Sequence, residues 1–520
     1  MFSPRRIVVV STAVLALTVT ACTGSSTAST STSSGATNVI PNLSRLSWHG
    51  CGGELAGLEC STVQVPLNYN DPSGRKLSLA IDMAPATAAK SQQQGILLVN
   101  PGGPGASGLD LAAEVQDGLS STVASEYDII GFDTRGVGSS TPELTCDPTF
   151  FDEVRPDYVF SNQSQEQVLI DRAKTYAADC EKRFGWLLPY MTTVNMARDL
   201  DTIREAFGVS EINYYAFSYG TYLGQVYATM FPTHLRRMVL DSTVDPTGVW
   251  WTDNIEQDYA FQGRMDAFFA WVAKYNSTYH LGSTAEEVHN AWYKARDQLK
   301  SHPISNDGTP LIGPSEYDDT FLLGGYLNTL WPGLAQALSD YLLHGQTSEM
   351  INQFEQYGAQ DENEFAVYNA VQCADVDWPR SWSYWNTETE QVYKTAPFEA
   401  WDNAWYNASC AFWPVKGPST PLKVGTQAGV TGLPGILMLQ GTLDAATPYA
   451  GAQNAHKLFP TARMVVVEGG GNHGQSLEDP SNNCVESYLN AYLLSGALPT
   501  KTGAVNATCP AVPDPTPSSS

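Results

Sequence analysis

Short, continuous apolar runs recur along the chain at residues 95–100, 127–132, 237–240, 435–439 and 463–467. Runs of that length, bounded by turn residues, mark strands buried on both faces of a parallel sheet. Two earlier stretches also read as strands. Residues 62–67 end in the turn-like Asn68-Tyr69-Asn70-Asp71-Pro72, and residues 76–83 alternate as a half-buried strand does. Helical periodicity separates several of the runs, for example at 196–207 and 222–230. Strands alternating with helices predict an α/β fold with a mostly parallel sheet. Between 246 and 422 the strand runs disappear and helical spacing takes over, with eleven of the thirteen tryptophans in that stretch. We read it as a helical cap inserted into the sheet domain and roofing its site. Most of its aromatics are expected to form the cap's own core.

Composition narrows the function classes. At 520 residues the chain can hold a large core and an inserted domain. A net charge of −26 disfavours nucleic acid, whose phosphates it would repel, and adhesion to anionic lipid. The N-terminus addresses the compartment. Arg5 and Arg6 precede an apolar stretch at 7–19, of signal-peptide length and too short to span a bilayer. It ends in Val19-Thr20-Ala21-Cys22, which resembles a bacterial lipobox and predicts cleavage before a lipidated Cys22. Ordinary secretory cleavage nearby is the alternative. Either way the protein is expected to be exported, as a cell-surface lipoprotein attached to the membrane only through lipid at Cys22 or as a secreted protein.

The nine cysteines are an odd number for an exported chain. Assigning Cys22 to lipid leaves eight, and the simplest scheme pairs neighbours: 51–60, 146–180, 373–410 and 484–509. None has the tight spacing of a zinc site, so staples in an oxidising compartment are the expectation. The expected division is a signal peptide at 1–21, a Ser/Thr-rich tether at 22–47, a first part of the core at 48–245, the cap at 246–422, the rest of the core at 423–511, and a disordered tail at 512–520.

In an open α/β sheet, ligands sit beyond the carboxyl ends of the strands. Three reactive side chains follow predicted strands there. Residues 213–217 run into Ala216-Phe217-Ser218-Tyr219-Gly220 and then a helix, so Ser218 sits in a sharp strand-to-helix turn with its hydroxyl exposed. Residues 435–439 lead to Asp444, a carboxylate able to fix an imidazole tautomer; Asp241, after residues 237–240, competes for that role. Residues 463–467 lead through Gly469-Gly470-Gly471-Asn472 to His473, the candidate base. His456 falls in a predicted helix and reads as a surface residue. The order Ser, Asp, His is that of α/β-hydrolases. A glycine-rich turn, Asn100-Pro101-Gly102-Gly103-Pro104-Gly105, follows residues 95–100. An N–H of Gly102 or Gly103, with that of Tyr219, would form an oxyanion hole. The turn lacks the Lys-Ser/Thr of a phosphate loop.

Together these segments resemble the tripeptidyl aminopeptidase group of actinobacterial exported peptidases, related to prolyl aminopeptidases. The likeness extends to Asp133-Thr134-Arg135-Gly136-Val137-Gly138-Ser139-Ser140, Leu240-Asp241, Val244-Asp245-Pro246, Cys373-Ala374-Asp375, Thr447-Pro448 and Gly471-Asn472-His473-Gly474. Departures are Ala216 and Ser242, where the group usually has glycine. The resemblance implies an α/β-hydrolase fold, no metal or organic cofactor, and release of short peptides from a free N-terminus by a monomer. Such an enzyme needs a closed cleft with a carboxylate for the substrate ammonium, and the acidic cap residues Asp375 and Asp377 are the candidates. The alternatives are a cell-envelope carboxylesterase or lipase, and a non-catalytic surface binding protein.

Overall fold

A computed structural model describes residues 43–478 and 480–517. The expected signal peptide, Cys22 and most of the tether lie outside the described residues. The tether was expected to reach residue 47, but chain packing begins earlier: Leu43 and Leu46 lie on the core, and Trp48 Nε1 donates to the Leu43 carbonyl at 3.2 Å.

The centre is a ten-stranded sheet in the order β1-β2-β3-β5-β4-β6-β7-β10-β11-β12. Its strands are β1 (His49–Gly50), β2 (Glu59–Pro66), β3 (Lys76–Ala84), β4 (Gly95–Asn100), β5 (Tyr127–Phe132), β6 (Ile212–Phe217), β7 (Leu235–Asp241), β10 (Ile436–Gly441), β11 (Ala462–Glu468) and β12 (Ala507–Pro510). From β5 to β12 every neighbouring pair is parallel; β1, β2 and β3 pair antiparallel at one side. The apolar runs of the sequence are these parallel strands. Each alternates its side chains between two cores, as strand geometry requires. Ile96, Leu98, Tyr214, Met238, Met438 and Val466 face one core with Leu200 and Leu223 of the helices Thr193–Phe207 and Tyr219–Met230. Leu97, Val99, Tyr215, Val239, Leu437 and Val465 face the other, with Leu111 and Leu489 of the helices Leu111–Gly118 and Asn483–Ser495. Burial on both faces explains why the runs are continuous rather than alternating.

Between β7 and β10 the chain forms helices, chief among them Trp251–Lys274, Ala285–Leu299, Pro314–Tyr326, Glu362–Asp375 and Ala400–Asn407. Trp271, Trp292 and Trp331 pack with Phe268 and Phe321 in a core of their own, as expected of most of these aromatics. A small hairpin, β8 (Ile304–Asn306) with β9 (Thr309–Ile312), interrupts the helical pattern and was not expected. Asp307 and Gly308 at its turn have φ of 48° and 82°, a conformation that suits an Asp-Gly pair.

Four disulfides close the pairs 51–60, 146–180, 373–410 and 484–509, the nearest-neighbour scheme. The C-terminal segment, expected to be disordered from 512, is instead placed as far as residue 517. Trp271 Nε1 donates to the Pro515 carbonyl at 2.9 Å and Asn328 Nδ2 to Asp514 at 2.9 Å. Core and cap helices are thereby joined by a strap. Short side chains and three prolines hid this from a reading based on core-forming residues.

Candidate active site

Ser218 is the residue between β6 and the helix Tyr219–Met230. Its φ is 55°, a left-handed conformation that costs a residue other than glycine on the order of 1 kcal/mol or more. Surrounding bonds hold it there: its N–H donates to the Asp241 carbonyl at 3.2 Å, and its carbonyl accepts from Thr221 N at 2.8 Å and Thr221 Oγ1 at 2.6 Å. Strand and helix nearly touch at this turn. A Cβ on Gly220 would lie 2.5 Å from Asn100 Oδ1 and 2.9 Å from the Ala216 methyl. Ala216 therefore fits because position 220 is glycine, which accounts for the departure noted at 216.

The glycine-rich turn lies against this serine. Gly102 and Gly103 have φ of 110° and 101°. A Cβ on Gly102 would stand 2.8 Å from Ser218 Cβ and 3.1 Å from Tyr219 N, so only backbone can occupy that position. Asp133, fully buried, braces the turn from behind. It accepts from Ser107 Oγ at 2.6 Å, from Gly108 N at 3.1 Å and from Ser139 N at 2.8 Å. Burial raises its pKa. The sequence placed Asp133 in a recognisable segment without giving it this task.

His473 and Asp444 come together from the loops after β11 and β10. His473 Nδ1 lies 3.0 Å from Asp444 Oδ1 and 3.2 Å from Oδ2. Asp444, 2% exposed, also accepts from Thr447 N at 3.1 Å and Thr447 Oγ1 at 3.0 Å. A carboxylate only accepts, so the Nδ1 proton faces it and the lone pair falls on Nε2. Nε2 is buried without a hydrogen-bond partner and belongs to the same cavity as Ser218 and Tyr219. That arrangement can take a proton from a nucleophile and later return it to a leaving group.

Asp241, the rival acid, does not meet the imidazole ring. It accepts from Gln475 N at 2.8 Å, Ser476 N at 3.0 Å and the Ser476 hydroxyl, and burial pushes its carboxyl up to about 7. Ser242, the second departure, accepts from Gly474 N at 2.8 Å through its hydroxyl. Both residues thus hold the backbone just after His473. His456 is half-buried rather than a surface residue, and burial lowers its pKa.

The cavity has a volume of ≈ 580 Å³ and lies between the strand ends and the cap helices. Carboxylates line it, and among the described residues no Lys or Arg does. Asp375 and Asp377 are absent from its wall, which corrects the sequence expectation. Asp375 is turned to Thr193, accepting from its N–H at 2.8 Å and its hydroxyl at 2.5 Å; Asp377 lies 3.1 Å from Lys416 and 3.8 Å from Arg380. The cavity's buried acids are instead Asp319, Glu399 and Asp402. Arg155 meets Asp319 at 2.5 Å and Glu316 at 2.7 Å. Glu399 and Asp402, 7% and 8% exposed, have no Lys or Arg at ion-pair distance among the described residues. Burial first, then the neighbouring carboxylates, raises both carboxyls well above the usual range. Sequence reasoning passed over them because they belong to no motif. The available signal was two acids three residues apart in the tryptophan-rich stretch Glu399-Ala400-Trp401-Asp402.

A family model described as "alpha/beta hydrolase fold" matches residues 95–480. The tripeptidyl aminopeptidase of Streptomyces lividans is 38% identical over 478 residues, covering 89% of this chain and 86% of that protein. Carboxylesterase B of Mycobacterium tuberculosis is 31% identical, covering 87% and 88%. Serine protease Hip1 of the same organism is 29% identical, covering 85% and 86%. With this fold and this extent of identity, the chain belongs to the tripeptidyl aminopeptidase-like family of α/β-hydrolases.

Proposed function

We propose that the protein is an exported serine exopeptidase that releases short peptides, tripeptides foremost, from free N-termini. One observation carries this reading. A single cavity holds Ser218 and His473 together with two buried acids, Glu399 and Asp402, that have no Lys or Arg at ion-pair distance among the described residues. Burial favours the protonated form of both acids; a substrate ammonium beside them would favour the carboxylate and pair with it in a strong charge-assisted contact. His473 takes the Ser218 proton as the hydroxyl oxygen attacks the scissile carbonyl. The N–H groups of Tyr219 and of Gly102 or Gly103 receive the oxyanion. Asp444 steadies the imidazolium, His473 protonates the leaving amine, and water then hydrolyses the acyl-enzyme.

Domain limits at 48–245, 246–422 and 423–511, and a lipid anchor at Cys22, belong to the same proposal. The eight remaining cysteines in four disulfides are compatible with export. A second reading, a carboxylesterase, keeps the chemistry and is favoured by the name of the M. tuberculosis relative. Mass spectrometry of products from one oligopeptide, supplied with a free and with an acetylated N-terminus, separates the two. Tripeptides released from the free form alone support the exopeptidase. No cleavage of either form, with Ser218 still labelled by a fluorophosphonate, moves the assignment to the esterase.

A further inference from the structure

Arg264 lies on the cap helix Trp251–Lys274, yet it touches the loop that carries His473. It is 6% exposed. Its Nε donates to the Gly325 carbonyl at 3.4 Å, and its guanidinium carbon is 5.0 Å from the Trp331 ring centroid. The guanidinium also packs closely against Gly471, two residues before His473. A Cβ built on Gly471 would collide with it. Nη2 is buried and has no hydrogen-bond partner, so ordinary satisfaction of donors does not explain the position of this side chain.

The same stretch of cap grips the loop elsewhere. His473 N donates to the Tyr326 carbonyl at 2.8 Å, and Asn472 Oδ1 accepts from Asn328 N at 2.9 Å. Arg264 adds a side-chain contact to both partners of this grip, Gly325 on one side and Gly471 on the other. Asp514 of the C-terminal strap lines a cleft of ≈ 100 Å³ together with Arg264 and Gly471. A planar guanidinium can lie against a peptide and hydrogen-bond in its plane at the same time, which the ammonium of a lysine cannot.

We propose that Arg264 is a positioning residue: packed against Gly471, it sets the height of the His473 loop and so holds Nε2 towards Ser218. The inference rests on His473 being the base of the proposed reaction. It predicts that a methyl at 471 and a truncation at 264 damage the same thing. The two changes are also complementary in space, since a small residue at 264 makes room for the methyl.

The test uses Arg264→Ala, Gly471→Ala and the double variant of the full mature chain. Each is titrated with a fluorophosphonate, so that kcat refers to functional sites alone, and assayed on a small acetate ester. The ester reads the Ser218–His473 pair without a free amino terminus, so a failed exopeptidase assignment leaves the outcome readable. Each single change is expected to lower kcat per titrated site by about 10-fold or more with KM nearly constant, because sub-ångström misplacement of a base has effects of that size. In the Arg264→Ala background, Gly471→Ala is expected to change kcat by less than about 2-fold, the non-additivity of a shared contact. Arg264→Lys, which keeps the charge and loses the plane, is expected to behave as Arg264→Ala. Losses that multiply in the double variant, or variants that melt earlier with kcat per site intact, would overturn the proposal.

Discussion

Asp241 Oδ1 accepts a hydrogen bond from Gln475 N at 2.8 Å, so a carboxylate ending one strand anchors the loop that follows the neighbouring strand but one. Through this bond the β7 end fixes the segment immediately after His473. Asp241→Asn would turn amide hydrogens towards donors already aimed at the carboxylate. We expect kcat to fall by about 10- to 100-fold and stability by about 1–3 kcal/mol. Asp444→Asn should cost far more in rate, about 10⁴-fold, with a smaller change in stability. Parallel kinetics and denaturant melts of the two variants check the division of labour.

Ser218→Ala should abolish turnover and leave the fold intact. Ser218→Gly tests the strain at this residue. At φ of 55° a glycine sits without steric cost, although it loses more backbone entropy on folding. We expect Ser218→Gly to melt at or above the temperature of Ser218→Ala. A clear drop below it would mean that the turn stores no strain.

Glu399→Gln and Asp402→Asn should raise KM for peptides with a free N-terminus by about 10-fold or more, the loss of a buried charge-assisted contact. Hydrolysis of a small acetate ester should keep its kcat. Equal damage to both substrates would place these acids in the fold rather than in recognition.

Stability should decline as pH rises through neutrality. Burial pushes Asp241 and Asp375 up to about 7 and Asp258 up to about 8. In the unfolded chain such groups titrate near 4, at about 3.9. Between those values the folded state binds more protons than the unfolded state, so the unfolding free energy falls with pH. The contribution is complete below about pH 4 and is lost as pH passes through 7 to 8. Thermal melts from pH 4 to 9 should show that fall, and Asp258→Asn, which can still accept from Asn403, should flatten it.

The sheet and the elbow were legible because their physics is local. A strand buried on both faces must be apolar throughout, and 95–100 and 127–132 coincide with β4 and β5. The serine turn needs small neighbours, and Gly220 supplies the signature. What stayed hidden depends on contacts distant in sequence. β12 is four residues long with little apolar character, and the strand beside it and the Cys484–Cys509 bridge define it. The hairpin β8–β9 carried a turn signal in Asp307-Gly308, but its strands are too short to stand out from helical surroundings. Glu399 and Asp402 became candidates only once the cap was folded over Ser218. Asp375 looked suitable in sequence because nothing there tells an acid facing a cavity from one facing Thr193.

The carboxylate lining of the cavity bears on the second half of the catalytic cycle as well. In the proposed cycle, water that cleaves an acyl-Ser218 creates a new anion inside a chamber walled by acids, with no Lys or Arg in that wall among the described residues. In the proposed reading, the field that draws in the ammonium end of the substrate also pushes against the carboxylate end of the product, and low-dielectric walls strengthen that push. On that proposal, product departure is driven by charge, and re-entry of a finished peptide is opposed. Added salt, which screens exposed charges first, should lower the inhibition constant of the released tripeptide.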